Sequence, residues 1–354
     1  MKHIVLTGGG TAGHVTPNIA LIPGLQARGY KVSYIGSHNG MERKMIEELG
    51  IPYYGISSGK LRRYMDIKNF TDPFRVVKGV FDARRILKEL KPDIVFSKGG
   101  FVTVPVVMAA KQRKIPAIIH ESDMTPGLAN KLAIPSATKV CCNFPETLQA
   151  LPKGKAVLTG SPIRAELFKG DAAKGKAFCG FTDDKPVLMM IGGSLGAVVI
   201  NDTLREILPK LLQDFNVVHL CGKGNLDEKL NNTPGYVQYE FIKDELADLF
   251  ALADIMISRA GANAICEIAA LAKPNLLIPL AANASRGDQI LNANSFAKQG
   301  FSMVLRQEDM NAETLEKSIY NLYKNKDSYV AAMKASTQLD SVNVILDLIE
   351  ECSL

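Results

Sequence analysis

One pattern that occurs twice constrains the fold more than any other feature of this chain. Residues 3–28 form a short apolar strand, a glycine-rich turn and a helix, and residues 187–212 repeat that order in the second half. Apolar strands then alternate with helical patterns, which favours parallel sheets covered by helices on both faces. We therefore expect an α/β chain of two Rossmann-like parallel-sheet domains facing a cleft, with both glycine loops beside it.

The composition fits two soluble domains. The chain has 354 residues, of which 47% are hydrophobic and 22% charged, and a domain commonly holds ~100 to 200 residues. No apolar run is long enough for a signal peptide or a membrane span. The six cysteines lack C-x-x-C spacing, so we expect reduced cysteines in a cytosolic protein.

The first glycine loop, Gly8-Gly-Gly-Thr-Ala-Gly13, fits G-x-G-x-x-G but does not predict a dinucleotide site. Such a site needs an acidic residue at the end of the second strand, and the first acid here, Glu42, comes only after the next turn. We interpret the loop as a cradle for an anion or a sugar. His14, just after it, is a candidate general base; alternatively it caps its helix or hydrogen-bonds an acceptor phosphate.

The second half carries features of a nucleotide-sugar pocket. A strand ending at Ser258 leads through Arg259-Ala-Gly-Ala262 into a helix start, whose free N–H groups suit anions. Glu267 is positioned to accept hydrogen bonds from ribose hydroxyls, and Gln289 can donate to and accept from a sugar. The alternative is that Glu267 complements a helix dipole and Gln289 is solvated. The turn of residues 192–197 can hold a diphosphate, with Ser194 adding a hydroxyl.

Several other chemistries lose support. The chain contains no D-x-D, no H-E-x-x-H and no P-loop motif, so we expect no metal, no cofactor and no nucleic acid partner. Gly192-Gly-Ser-Leu-Gly196 fits a hydrolase nucleophile elbow. The only later histidine is His219, inside the next strand, which argues against that mechanism.

A basic stretch predicts membrane contact. Residues 60–91 contain ten basic and four acidic residues, a net charge of +6 that equals that of the whole chain. A helix is predicted from about Pro73 to Leu90, with Asp72 as N-cap and one apolar core face. The opposite face forms the basic apolar patch: Phe74, Val77, Phe81, Lys78, Arg85 and Lys88. We expect it to dock on an anionic membrane surface; alternatively, the phenylalanines pack under residues 57–72.

Ordered motifs across the chain resemble one family. They are Gly9-Gly-Thr-Ala-Gly-His14, Lys98-Gly-Gly-Phe101, His120-Glu121, Gly127-Leu-Ala-Asn-Lys131, Gly160-Ser-Pro-Ile-Arg164, Gly192-Gly-Ser-Leu-Gly-Ala197, Arg259-Ala-Gly-Ala262 with Glu267, and Asp288-Gln289. They are similar to those of the MurG family of bacterial peptidoglycan N-acetylglucosaminyltransferases. The resemblance implies a GT-B fold and a peripheral enzyme on the cytoplasmic face of the cell membrane.

The implied reaction moves N-acetylglucosamine from UDP-N-acetylglucosamine to the C4 hydroxyl of undecaprenyl-diphospho-muramoyl-pentapeptide, with inversion and without a metal. Residues 1–163 plus 338–354 would form the acceptor and membrane-associated domain, and 164–337 the donor domain. The resemblance also implies a set of donor contacts: Thr11, Ala12, Gly13, Arg164, Ser194, the Ile242 backbone at uracil, Ala262 at the sugar, Glu267 at the ribose, and Gln289.

The chain departs from the family pattern at three places. Ala12 replaces a glycine, which removes some backbone freedom from the first loop. Ser122-Asp123 replaces Gln-Asn, and Asp288 replaces the first of two glutamines; these two departures leave the sugar contacts open. The nearest alternative function is a related GT-B diacylglycerol glucosyltransferase. A UDP-N-acetylglucosamine 2-epimerase or a non-catalytic nucleotide-binding module is a more distant one.

Overall fold

The structure is a computed structural model that describes residues 1–59, 68–193, 196–282, 287–336 and 340–354, with side chains omitted for 68–74. The chain divides into two compact units. Unit 1 comprises Met1–Arg164 and Asp340–Leu354, and unit 2 comprises Ala165–Leu339.

The described part of unit 1 contains a sheet of seven parallel strands in the order β3-β2-β1-β4-β5-β6-β7. Every residue of β1 is buried, as expected for a strand covered on both faces. The strands are β1 (His3–Thr7), β2 (Lys31–Ser37), β3 (Tyr53–Ile56), β4 (Ile94–Ser97), β5 (Ala117–Glu121), β6 (Lys139–Cys142) and β7 (Ala156–Leu158).

Helices cover both faces of this sheet, because successive residues of each strand point to opposite sides. Val5 of β1 packs into the cluster that holds Leu87, whereas its neighbours Ile4 and Leu6 pack into the cluster that holds Leu21. The helices are α1 (Thr16–Ala27), α2 (Met41–Glu47), α3 (Lys68–Leu90), α4 (Thr103–Gln112), α5 (Leu128–Ala133) and α6 (Thr147–Ala150).

The predicted start of α3 was wrong. The helix begins at Lys68, so Asp72 and Pro73 lie inside it and do not form its cap and first residue. A proline near a helix start removes only one intrahelical hydrogen bond, which a long helix tolerates. The predicted core face is confirmed, because Ala83 and Leu87 are fully buried against α4 and the sheet.

The described part of unit 2 contains six parallel strands in the order β10-β9-β8-β11-β12-β13. They are β8 (Val187–Ile191), β9 (Asn216–Leu220), β10 (Tyr236–Tyr239), β11 (Ile255–Ser258), β12 (Asn275–Leu277) and β13 (Met303–Val304). The helices are α7 (Ala172–Cys179), α8 (Val198–Asp214), α9 (Leu246–Leu252), α10 (Ala262–Ala270), α11 (Asp288–Lys298), α12 (Ala312–Lys324) and α13 (Lys326–Lys334).

The last helix, α14 (Ser341–Cys352), packs on α1 and completes unit 1. Its apolar face carries Ile345 and Ile349, both fully buried in the cluster of Ile4 and Leu21. Arg28 at the end of α1 pairs with Asp347 at 2.7 Å and with Glu350 at 3.0 Å. The apolar face of this amphipathic helix therefore packs into the core of unit 1.

Two α/β units with parallel sheets confirm the predicted fold class. In each sheet the strand order reverses beside the first strand, between β1 and β4 in unit 1 and between β8 and β11 in unit 2. Ligands of open α/β sheets bind at the carboxyl ends of the strands at such positions.

All six cysteines are free thiols. Within the described ranges no helix combines the length and hydropathy needed to cross a bilayer.

Candidate functional site

The first glycine loop occupies the strand-order reversal of unit 1. It follows β1, and Gly10 has a φ of +86°, a conformation that favours glycine. Thr11 and Ala12 are exposed, Gly13 is half-buried, and a short 3-10 turn of Ala12–His14 leads into α1. The loop thus presents its backbone at the carboxyl end of the sheet, where the sequence predicted an anion or sugar cradle.

His14 is held in one tautomer by this loop. Its Nδ1 lies 3.0 Å from the Gly9 carbonyl oxygen and 3.2 Å from the Thr11 hydroxyl. Because a carbonyl oxygen only accepts, Nδ1 carries the proton, and Nε2 of the neutral ring has a free lone pair. Nothing in the described part of the chain hydrogen-bonds Nε2. Nε2 of this ring is therefore an acceptor.

Burial, together with a nearby positive charge, keeps His14 neutral near neutral pH. Burial lowers the pKa of His14 below its usual 6.5, and the nearby Lys98 ammonium lowers it further. The Gly9 carbonyl and the carboxylates of Asp123 and Glu42 raise it, but by less. A neutral imidazole at physiological pH is the form that can accept a proton.

Glu42 lies against the first glycine loop, a position that sequence reasoning missed. Its side chain is fully buried, and its carboxylate accepts hydrogen bonds from the Ser37 N–H at 3.0 Å, the Ser37 hydroxyl at 2.6 Å and the Gly10 N–H at 3.3 Å. In the sequence, Glu42 comes after the end of the second strand, where the acid that holds the ribose of a dinucleotide would lie. Helix α2 brings it back beside β1 instead, where its hydrogen bonds go to the protein.

A buried lysine lies at the end of β4. Lys98 is 1% exposed, and its Nζ donates to His120 Nδ1 at 2.8 Å and to the Ser122 hydroxyl at 2.5 Å. His120 Nε2 lies 2.8 Å from the Gly160 carbonyl oxygen and donates to it. Burial first, and Lys98 second, keep the pKa of His120 well below 6.5, so this histidine is a neutral structural link.

Glu121 and Asn130 shape the loop after β5. The Glu121 carboxylate accepts hydrogen bonds from the Asp123 N–H at 3.1 Å, the Gly127 N–H at 3.0 Å and Asn130 Nδ2 at 2.8 Å. Burial raises the pKa of Glu121, while these donors oppose the shift. The polar residues that follow β4 and β5 were visible as motifs, but their bonding to each other was not.

The second glycine loop lies at the strand-order reversal of unit 2. Gly193 and Gly196 have φ values of +82° and +76°, and a Cβ at Gly196 would lie 2.1 Å from the Cys221 carbonyl oxygen. The loop ends at Ala197, whose side chain does not cap α8, and the N–H groups of a helix start suit an anion. Ser194 lies outside the described residues.

β11, the other strand at the strand-order reversal of unit 2, leads into α10. Gly261 precedes the helix without a side-chain cap, and Ala262 is its buried first residue. Arg259 donates to the Ile278 carbonyl oxygen at 3.1 Å. Burial lowers the pKa of this guanidinium. The helix start that the sequence predicts as an anion site therefore begins at a glycine with no side-chain cap.

The remaining donor candidates have different environments. Gln289, the second residue of α11, accepts the Leu280 N–H on its Oε1 at 3.1 Å, so the donors of its amide are on the NH2 group. Glu267 is half-buried on α10, and Ile242 is buried after β10. Arg164 is half-buried at the end of the first segment of unit 1.

The basic apolar patch is exposed where side chains are described. Val77 is 55% and Phe81 65% exposed, and Lys78, Arg85 and Lys88 are exposed around them. The alternative interpretation, in which the phenylalanines pack under residues 57–72, involves residues 60–67, which lie outside the described residues. Phe74 lies outside the described side chains.

His219 is not placed to serve as the histidine of a hydrolase with the nucleophile-elbow motif. That histidine is fully buried in β9 and bonds Tyr236 and Asn201 at 2.9 and 3.0 Å. Burial lowers its pKa to about 3. His219 is a neutral core residue.

Comparison with known proteins places the chain in a family. The model of the glycosyltransferase family 28 N-terminal domain matches residues 4–142, and that of the C-terminal domain matches residues 187–349. A relative from Lachnospira eligens is 65% identical over 353 residues, and one from Lachnoclostridium phytofermentans is 65% identical over 354; each alignment covers 100% of both chains. The crystal structure of Acinetobacter baumannii MurG is 27% identical, with a TM-score of 0.77 over 99% of this chain and 100% of that one.

Both curated relatives carry the name UDP-N-acetylglucosamine–N-acetylmuramyl-(pentapeptide) pyrophosphoryl-undecaprenol N-acetylglucosamine transferase. The two family models together span most of the chain, and the similarity to these relatives extends over its full length. The chain belongs to glycosyltransferase family 28, within the group of these N-acetylglucosamine transferases.

Proposed function

We propose that this enzyme transfers N-acetylglucosamine from UDP-N-acetylglucosamine to the C4 hydroxyl of undecaprenyl-diphospho-muramoyl-pentapeptide in peptidoglycan synthesis. The names of its full-length relatives support both substrates. The structural observation that carries the proposal is His14, whose protonated Nδ1 is tied to Gly9 and whose Nε2 is left as an acceptor.

In the proposed step, His14 Nε2 takes the proton of the acceptor C4 hydroxyl while its oxygen bonds to the anomeric carbon of the donor sugar. The bond from that carbon to the UDP oxygen breaks, and the electron pair leaves with the diphosphate. Attack from the face opposite the leaving group inverts the anomeric centre. Proton transfer to a positioned base contributes about 10²- to 10⁴-fold to such reactions.

Backbone donors and neutral side chains stabilise the departing diphosphate in this mechanism. The start of α8 and the start of α10 both offer N–H groups without a side-chain cap, and a well-placed donor is worth about 3 to 4 kcal/mol in comparable sites. The residues that we propose to contact the donor are Thr11, Ala12, Gly13, Arg164, Ser194, the Ile242 backbone, Ala262, Glu267 and Gln289. The mechanism calls for no metal.

We assign residues 1–163 plus 338–354 to acceptor and membrane binding, and residues 164–337 to the donor. Because Gln289 Oε1 already accepts from Leu280, we assign its NH2 group as a donor to a sugar oxygen. Glu267 is the acceptor for ribose hydroxyls.

The acceptor is anchored in a membrane, so the enzyme acts as a peripheral protein at the cytoplasmic face of the cell membrane. The basic apolar patch supports this location, since exposed Val77 and Phe81 lie among exposed Lys78, Arg85 and Lys88. Burial of a large apolar side chain contributes about 1.5 to 3 kcal/mol, and each cation near an anionic surface about 1 kcal/mol.

Changing Val77 and Phe81 together to serine should weaken binding to anionic phospholipid vesicles at least tenfold, on the order of the apolar energy removed. Co-sedimentation with vesicles measures the partition, and higher salt should weaken binding by the parent. Phe241→Ser is the matched control, because Phe241 is 71% exposed in unit 2. If the double variant binds as well as the parent, docking through this patch is wrong.

Release of UDP from UDP-N-acetylglucosamine tests the function itself. We expect turnover that requires a muramoyl-pentapeptide diphospho-lipid acceptor and that is unchanged by EDTA. Turnover with diacylglycerol and UDP-glucose, and none with the muramoyl acceptor, would move the function to a glycolipid synthase. Loss of turnover in EDTA, restored by a divalent metal, would contradict the metal-free mechanism.

A further inference from the structure

One peptide group in the first glycine loop is hydrogen-bonded at both ends. The carbonyl oxygen of Gly9 accepts from His14 Nδ1 at 3.0 Å, and the N–H of Gly10 donates to Glu42 Oε2 at 3.3 Å. These two groups belong to the same peptide bond. A continuous hydrogen-bonded path therefore runs from the Glu42 carboxylate, through one peptide group, to the His14 imidazole.

The surroundings of Glu42 are built to hold this carboxylate in place. Its Oε1 accepts from both the N–H and the hydroxyl of Ser37, which leaves Oε2 for Gly10. A Cβ added at Gly9 would come within 2.6 Å of the Glu42 carboxyl carbon. One added at Gly40 would also meet the carboxylate oxygens. Glycine at these positions thus gives the carboxylate room to reach the loop backbone.

We propose that Glu42 is the positioning residue of His14 and acts on the imidazole through the Gly9–Gly10 peptide. This inference rests on the base role of His14 proposed above. A hydrogen bond from an N–H to a carboxylate polarises the peptide, so its carbonyl becomes a stronger acceptor. That carbonyl then fixes the Nδ1–H tautomer, which exposes Nε2 as the base.

The same hydrogen-bonded path favours the positive charge that forms on the His14 ring during transfer. When Nε2 takes the acceptor proton, the ring becomes an imidazolium whose Nδ1–H still donates to Gly9. Three charged groups act on the ring: Lys98 at the end of β4, Asp123 after β5 and Glu42 on α2. Lys98 disfavours the imidazolium and the two carboxylates favour it. Glu42 has a hydrogen-bonded route to His14 through a single peptide.

Glu42→Gln tests the role of this carboxylate. The amide oxygen should stay on the Ser37 side, where two donors converge, so the NH2 group would face the Gly10 N–H as donor against donor. We expect kcat for UDP release to fall about tenfold, less than when a directly bonded carboxylate is changed. KM for UDP-N-acetylglucosamine should stay near that of the parent. The acid limb of the kcat/KM profile should move to lower pH, because a negative charge that favours the imidazolium is lost.

A second readout needs no turnover. The ring-nitrogen chemical shifts of His14, assigned by comparison with His14→Ala, report its tautomer, and Glu42→Gln should increase the Nε2–H form. Glu48→Gln is the matched control, since Glu48 is an exposed carboxylate at the end of the same helix. It should leave both the tautomer and the acid limb as in the parent.

The outcomes separate this inference from the proposed function. If Glu42→Gln leaves both the tautomer and the acid limb unchanged, the positioning role is wrong, even if kcat falls through a general loss of stability. If the parent does not release UDP with the lipid acceptor, the proposed function fails, and the NMR comparison still decides whether Glu42 controls the ring.

Discussion

Replacing His14 by alanine should lower kcat for UDP release by about 10²- to 10⁴-fold, the range that a positioned general base contributes. The physical reason is the geometry of the ring: Nδ1 is committed to Gly9, and Nε2 is the free acceptor. Alanine provides no atom that could take the proton of the attacking hydroxyl. Donor binding should persist, so the loss should appear in kcat rather than in KM.

The matched control for this change is His38→Ala. His38 is an exposed histidine in the same unit, just after β2, and its removal should leave kcat as in the parent. The acid limb of the parent pH profile should also disappear in His14→Ala. A loss smaller than tenfold would show that His14 only caps its helix or binds the acceptor phosphate.

Gly100→Ala should lower kcat about a hundredfold, because it displaces the carbonyl that orients His14. Gly100 has a φ of +91°, and a Cβ there would lie 2.3 Å from the Gly9 oxygen. The backbone of the first glycine loop must therefore move, and a misplacement of about 1 Å can cost 10²-fold in rate. Kinetics of UDP release and urea unfolding of the same preparation measure both effects.

Gly29→Ala separates backbone strain from displacement of the site. Gly29 also has a positive φ, +77°, but a Cβ there meets nothing within 4 Å. Each alanine should cost about 1 to 3 kcal/mol of stability through strain, while only Gly100→Ala should lose activity. Equal activity in the two variants would contradict the proposed importance of the Gly9 carbonyl.

The fold class was predictable because the strand and helix periods are strong and repeated. Val187–Ile191 is an apolar run followed by glycines and an amphipathic helix, and such a unit has few stable arrangements other than a parallel sheet. The start of α3 was not predictable by the same reasoning. Pro73 marked a plausible first turn, but packing of the helix against α4 outweighs the one hydrogen bond that a proline removes.

The candidate site was only partly predictable. His14 and the glycine loops were visible because their chemistry lies within a few consecutive residues. In the sequence, Glu42 stood out only as an acid too far along the chain to bind the ribose of NAD. No hydrophobic periodicity indicates that α2 folds back and brings this carboxylate to the Gly10 N–H. The same holds for Gln289, whose side-chain oxygen accepts from the N–H of Leu280, 9 residues earlier.

Helix α14 makes the completion of unit 1 depend on the order of synthesis. The face of the sheet that carries Ile4 and Leu6 is covered partly by Ile345 and Ile349, which the ribosome adds only after all of unit 2. At roughly 5 to 20 residues per second, that interval lasts on the order of ten to thirty-five seconds. During it, the apolar side chains that α14 buries in the complete chain, among them Ile4, Leu6 and Leu21, lack this cover. Arrival of α14 covers this face, so unit 1 becomes fully folded only after unit 2 has been made.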